Sequence, residues 1–166
     1  MIDDERRESF QMVAFTLESQ EFAVHINQVR EVINKEEVNP LPQAAHFIEG
    51  VLDLRGEVIP VVCLRKRFQI PVEKKDEDAR ILIVEMQGQN SVGLVVDSVT
   101  EVLRFTPGDI HPPPSAVAGT RTDLINGVGK IDERLLLILD LEKLLTSEEM
   151  LTLEDIALPQ KQNEQQ

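Results

Sequence analysis

The chain contains no tryptophan and no tyrosine, so its 6 phenylalanines are its only large aromatic side chains. It also has a single cysteine, 3 histidines, and 17 basic residues against 30 acidic ones. Each scarcity removes a class of function. Small β-barrels that bind single-stranded nucleic acid offer a basic groove and aromatic rings on which bases stack. A formal charge of -13 and the missing rings argue against an OB-like nucleic-acid-binding barrel, because phosphate binding is driven by lysine and arginine releasing counterions. The lone Cys63 cannot close an internal disulfide, and the charged start MIDDERRE has no apolar signal core, so a cytosolic protein is expected. No apolar run approaches the ~20 residues of a membrane-spanning helix, the longest being Leu135 to Leu139.

Catalysis needs converging groups, and few are present. His25 alternates with Val24 and Ile26 and is expected to point outward, while His46 and His111 have no metal-ligand spacing. Cys63 follows Val61 and Val62 and reads as a small buried hydrophobe. The acidic run Asp76 to Asp78 lacks the spacing and glycine of a calcium loop, and there is no glycine-rich phosphate loop. The expectation is a protein with no catalytic residues, no metal and no cofactor, working through protein contacts.

What the chain does have is an internal repeat. Ile48 to Phe68, IEGVLDLRGEVIPVVCLRKRF, aligns without a gap to Ile125 to Leu145, INGVGKIDERLLLILDLEKLL; 5 of 21 positions are identical and 6 more exchange apolar side chains. Upstream, FAVHINQVREVI (Phe22 to Ile33) aligns with VGLVVDSVTEVL (Val92 to Leu103), sharing Val29/Val99, Glu31/Glu101 and Val32/Val102. Two modules of about 70 residues each are small for independent cores, so they are expected to pack on one another and to exchange strands. The domain is placed at residues 10–153, with modules at 10–75 and 79–150 and disordered termini at 1–9 and 154–166.

The local patterns are those of strands. Val13, Phe15 and Leu17 alternate, ESQE turns, and Phe22, Val24 and Ile26 alternate again; Ile81 to Met86, QGQN and Val92 to Val96 repeat the hairpin. NPLPQAAHFIEG predicts a short helical turn ending at Gly50, matched by a segment that Gly127 closes. A hairpin then turns at Arg55 and Gly56, and its copy at Asp132 and Glu133. Pro60, which has no backbone donor, predicts an edge or bulge. PVEKKDEDAR reads as a charged linker, and Thr146 with Glu149 has the spacing of a capping box that would start a short C-terminal helix. Many short strands in two copies with little helix give an all-β fold of two small barrels.

Val29 and Val32, three apart around Glu31, recur as Val99, Glu101 and Val102. One reading is that these valines continue the core; the other is that both segments line an apolar groove between the barrels, of the kind that takes a partner's helix. Arg55 is the corresponding polar candidate.

Taken together, FTLESQEFAVHINQVREVI, FIEGVLDLRGEVIPVVCLRKRF, GLVVDSVTEVL and LLILDLEKLLTSEEM resemble CheW, the adaptor family of bacterial chemotaxis, over nearly the whole chain. The resemblance implies two five-stranded SH3-like or OB-like barrels related by a pseudo-two-fold axis and no enzymatic activity. It implies an adaptor, monomeric when isolated, that couples the cytoplasmic tip of transmembrane chemoreceptors to the regulatory domain of the CheA histidine kinase in membrane-associated arrays. Carried over by motif, receptor binding falls on Val29, Glu31, Arg55, Val99 and Val102, and Gly50 matches a glycine needed for backbone geometry; the kinase contact is placed on the loop and turn containing Val38, Leu41 and Ile48. The family's NLRG turn is Asp53-Leu54-Arg55-Gly56 here, and Ala116 stands where family members carry an aromatic that helps close adaptor–kinase rings. A CheW-like adaptor of a pilus or developmental pathway would share fold and mechanism. The two-domain adaptor CheV would add a receiver domain, for which 166 residues leave no room.

Overall fold

The computed structural model describes residues 8–35, 38–72, 78–86, 90–113 and 124–144. Eleven strands are described: β1 (Phe10–Leu17), β2 (Gln20–His25), β3 (Val29–Asn34), β4 (Ile48–Leu54), β5 (Glu57–Cys63), β6 (Arg80–Glu85), β7 (Ser91–Val96), β8 (Ser98–Phe105), β9 (Ile110–His111), β10 (Ile125–Ile131) and β11 (Arg134–Leu139). One-turn helices α1 (Leu64–Arg67) and α2 (Leu141–Leu144) follow β5 and β11.

The strands form two sheets, ordered β8-β1-β2-β11-β10-β9 and β3-β6-β7-β5-β4. Exchanging each strand for its repeat equivalent converts the second order into the first five strands of the other, which is the signature of a pseudo-two-fold axis. Each sheet takes strands from both repeats: β1 and β2 of the first join β8 to β11 of the second, and β6 and β7 join β3 to β5. The ladders are antiparallel except β11 on β2 and β5 on β7. The sixth strand, β9, goes beyond the five expected. Its first-repeat counterpart is a single bridge between Asn39 and Val51.

Both sheets are buried on two faces, and the alternation along each strand says which side chain goes where. In β1, Met12 and Ala14 enter one small core with Ala23, Phe105, Leu136 and Ile138. In β6, Ile81 and Ile83 enter another with Leu52, Leu54, Ile59 and Val61. The opposite faces, carrying Val13, Phe15, Phe22, Leu82, Val84 and Leu94, meet in a larger core drawn from both sheets. Among the described residues no polar or charged residue is buried. Neither half of the sequence could close this central core alone.

The first sheet curls on itself. A Cβ built on Gly129 of β10 would lie 2.6 Å from Phe105 Cε1 of β8, although four strand steps, about 19 Å in a flat sheet, separate them. Ion pairs across the mouth of the second sheet, Arg30 to Glu57 and Arg55 to Glu31, bring β3 to the β4–β5 hairpin in the same way.

Two local expectations are corrected. Gly50 does not end a helical turn; it sits inside β4 at a β-bulge where the register jumps from Ile48/Val62 to Gly50/Val61, and Gly127 occupies the same bulge in β10. The apolar residues around it answer the pull of two cores, which a strand satisfies and a helix would not. Pro60 lies in an interior strand and outside the bulge. The two-residue turn makes Leu54/Glu57 a hydrogen-bonded pair, so the Pro60 nitrogen faces away from β4, and the parallel ladder to β7 begins one residue later at Val61. The helices fall at Leu64 and Leu141, straight after the strands, while the helix expected from Thr146 lies outside the described residues, as do Ala116, residues 1–7 and residues 154–166.

Candidate functional site

The two valine motifs are edge strands. Among the described residues β3 pairs only with β6, and β8 only with β1. On a regular strand residues three apart face opposite sides. Here each strand carries a β-bulge inside the motif: Val29 pairs with Val84 and Glu31 with Ile83, leaving Arg30 as the extra residue, and Val99 pairs with Phe15 and Glu101 with Ala14, leaving Thr100 extra. The bulges return Val32 and Val102 to the faces of Val29 and Val99, the side of the central core. Val29 and Val99 pack against that core. Val32 and Val102 run past its margin and are 42% and 49% exposed. Both readings of the valines therefore hold, one for each member of the pair. Val32 belongs to the groove reading but not to the residues carried over by resemblance; its identity with Val102 across the repeat is the signal that adds it.

Glu31 and Arg55 come from separate motifs and meet directly. Arg55 Nη2 donates to Glu31 Oε2 at 2.6 Å and Nη1 to Oε1 at 3.2 Å. The turn explains the reach: Arg55 and Gly56 both have positive φ (53° and 88°), the geometry of a tight two-residue hairpin turn, and Asp53 Oδ1 accepts the Gly56 amide at 2.8 Å. Asp53 thus caps the turn from its first position. The Arg55 hydrogen bond, against a smaller opposing effect of burial, lowers the Glu31 carboxyl below its ordinary range, and Glu31 in turn raises Arg55. Glu31 lies on the opposite face of β3 from Val29 and Val32, so the pair marks the barrel mouth beside the valine face. In the second repeat Glu101 is held by Arg134, at 2.9 Å, and Arg134 also binds Glu21. A glutamate of the edge strand held by a hairpin arginine is thus a feature of both copies, although the arginines are not repeat equivalents.

The remaining candidates separate. Val38 packs partly on the smaller core of the second sheet and Leu41 is half-buried. Ile48 belongs to the central core at 9% exposure, so its side chain has little to offer a partner. His25 is half-buried, its ring 5.1 Å from that of Phe10. Burial pushes the Cys63 thiol up, away from a reactive thiolate. Among the described residues no group of three or more histidine, cysteine or acidic side chains could hold a metal, and no helix is long and apolar enough to cross a membrane.

A further ion pair that the sequence did not signal lies at the second crossover. Asp97, between β7 and β8, accepts from Arg65 Nε at 2.8 Å and Nη2 at 2.5 Å. Burial alone would raise the Asp97 carboxyl; the Arg65 hydrogen bonds, the Glu18 amide and the Arg65 charge outweigh it and hold the group below its ordinary value. A depressed carboxyl stabilises the fold above its unfolded-state value and ceases to do so as pH falls through the folded one. The stability difference between the native chain and Asp97→Asn, about 1 kcal/mol at pH 7, should therefore shrink as pH falls below the ordinary aspartate range, as read by urea unfolding at each pH.

The family model described as "CheW-like domain" matches residues 11–149. The chemotaxis protein CheW of Klebsiella aerogenes is 35% identical over 147 residues, covering 89% of this chain and 88% of that protein. CheW of Treponema pallidum is 30% identical over 146 residues, covering 86% of each. The crystal structure of the scaffolding protein TtCheW from Thermoanaerobacter tengcongensis superimposes with a TM-score of 0.77 at 36% identity, over 84% of this chain and 90% of that one. On sequence, repeat architecture and superposition alike, this chain belongs to the CheW-like domain family.

Proposed function

We propose that this protein is a non-enzymatic chemotaxis adaptor that couples the cytoplasmic hairpin tips of transmembrane chemoreceptors to the regulatory domain of the CheA histidine kinase. One observation carries the reading. Two symmetry-related edge strands carry bulges that leave an apolar pair on each, one valine fixed in the core and the next exposed, with a charged pair alongside. Such a surface suits the apolar stripe of a receptor helix, with Val29, Val32, Val99 and Val102 supplying contact area and Glu31 with Arg55 setting orientation. The kinase domain is assigned to the segment around Val38 and Leu41, ahead of Ile48. No step of this work needs chemistry at a protein side chain, and the scaffold reaches membrane-associated arrays through its partners.

The test is a titration of a soluble receptor hairpin fragment and the kinase regulatory domain from the same genome against the purified chain. Both should bind. Arg55→Ala should weaken the receptor fragment roughly fivefold with little change in stability, because the Arg55 side chain is 65% exposed. Glu31→Ala should do the same, and the double variant should be no worse than either single one, since the two side chains act as one unit. Absence of binding to either partner would defeat the adaptor reading.

A further inference from the structure

The crossovers between the two sheets are chemically unequal. The first runs from β2 to β3 through a 3-10 turn, Ile26–Gln28, and the second from β7 to β8 through Asp97 alone. In the repeat alignment Asp97 corresponds to Asn27, which is exposed, and Arg65 to Glu142. The acid–base pair thus exists at one crossover only.

At that crossover one carboxylate gathers three parts of the molecule. Its two oxygens accept from Arg65 of α1, which continues β5 of the second sheet. Oδ2 also accepts the Glu18 amide, at 2.7 Å, from the β1–β2 turn of the first sheet. The Asp97 amide donates to Thr16 O at 3.0 Å, and Ser98 and Thr16 hydroxyls meet at 2.6 Å. Arg65 is itself fixed, its Nη1 donating to Pro71 O at 2.6 Å. Both side chains are less than one-fifth exposed. Two residues after Asp97 comes Val99, where β8 begins to face the central core.

We propose that Arg65 and Asp97 are positioning residues: a clasp between the sheets that sets where β8 starts, and so fixes Val99 and Val102 relative to Val29 and Val32 for a receptor helix. The inference rests on the receptor-binding reading above. Neither side chain touches the receptor. Their effect is on the angle between two sheets whose central contact is apolar packing; Arg67 Nε of α1 donating to Leu144 O of α2 is a separate polar link that does not touch β8.

The test combines binding with a distance. Asp97→Asn keeps the shape and loses the charge; Arg65→Lys keeps a charge and loses the fork, and serves if Asp97→Asn does not fold. Nitroxide labels are placed at the exposed positions Lys130 of β10 and Glu85 of β6, one on each sheet. The expected result is receptor-fragment affinity lower by roughly three- to thirtyfold, kinase-domain affinity unchanged, and a broadened label-to-label distance distribution. Folded variants that bind the receptor fragment as the native chain does would overturn the proposal. So would a loss of receptor affinity with an unaltered distance distribution, since Asp97 would then act by contact. A native chain that fails to bind the fragment defeats the receptor reading instead, and the two failures are told apart in the same assay.

Discussion

Gly50→Ala is expected to destabilise the fold by about 3–5 kcal/mol, lowering the melting temperature by roughly 6–20 °C, whereas the repeat-equivalent Gly127→Ala should cost about 1 kcal/mol. Gly50 has φ of +145°, a region that side-chain-bearing residues adopt only under strain of about 1–3 kcal/mol. A Cβ there would lie 1.9 Å from Asn39 O and 2.8 Å from Pro40 Cα, both backbone atoms that no rotamer change can move. The chain would have to give up the bridge in which Asn39 N donates to Val51 O at 2.9 Å and Val51 N to Asn39 O at 2.8 Å, at about 0.5–1.5 kcal/mol for each bond. At Gly127 the φ is not positive, and the nearest atoms, His111 O at 3.0 Å and Ile110 Cγ2 at 3.2 Å, can yield by a few tenths of an ångström. Urea denaturation of the two variants compares the same bulge in two settings. Equal losses would mean that the bulge alone, and not the Asn39 approach, requires the glycine. The consequence reaches function, because the Asn39 bridge ties down the segment bearing Val38 and Leu41; Gly50→Ala should weaken kinase-domain binding more than receptor binding.

The same glycine shows what could and could not be read from sequence. The repeat flagged it, since Gly50 and Gly127 align, and the repeat was also the route to two barrels and to the pairing of Val102 with Val32. Apolar alternation located β1 and β2, and the repeat carried the hairpin over to β6 and β7, where Ile81 to Val84, buried on both faces, form an unbroken apolar run. The bulges were hidden, and with them the reason that valines three apart share a face: a bulge adds one residue without any distinctive side chain, as Arg30 and Thr100 show. The helical turn ascribed to NPLPQAAHFIEG failed because prolines and alanines mark a break, while tertiary pairing with β5 decides that Ile48 onward is strand. Glu31 and Arg55 were each legible as motif residues, but their contact depends on the curl of a sheet that only long-range packing fixes. Arg65 and Asp97 left no trace, because nothing local distinguishes a clasping charge from a solvated one.

Val102→Asp should lower affinity for the receptor fragment by roughly thirtyfold while leaving stability within about 1 kcal/mol of the native chain. Its position makes the two effects separable. Val99, packed on the central core, would lose folding energy as well as binding, so Val99→Asp confounds them. Val102 is on the same face through the bulge at Thr100 but 49% exposed, so a charge there stays hydrated in the free protein and is dehydrated only when a helix covers it. That desolvation of about 2 kcal/mol or more sets the size of the effect. Val32→Asp, at 42% exposure in the first repeat, should behave alike if one helix contacts both edge strands. Leu135→Asp supplies the comparison: at 54% exposure this leucine is as open as either valine but lies on an interior strand, β11, after the Arg134 that holds Glu101, and its substitution should cost receptor affinity less than Val102→Asp does. Val102→Lys should bind as poorly as Val102→Asp, because burial and not the sign of the charge opposes docking. Rescue by lysine would instead assign Val102 to an electrostatic rim, and an equal loss from Leu135→Asp would trace the effect to net charge rather than to the paired edge strands.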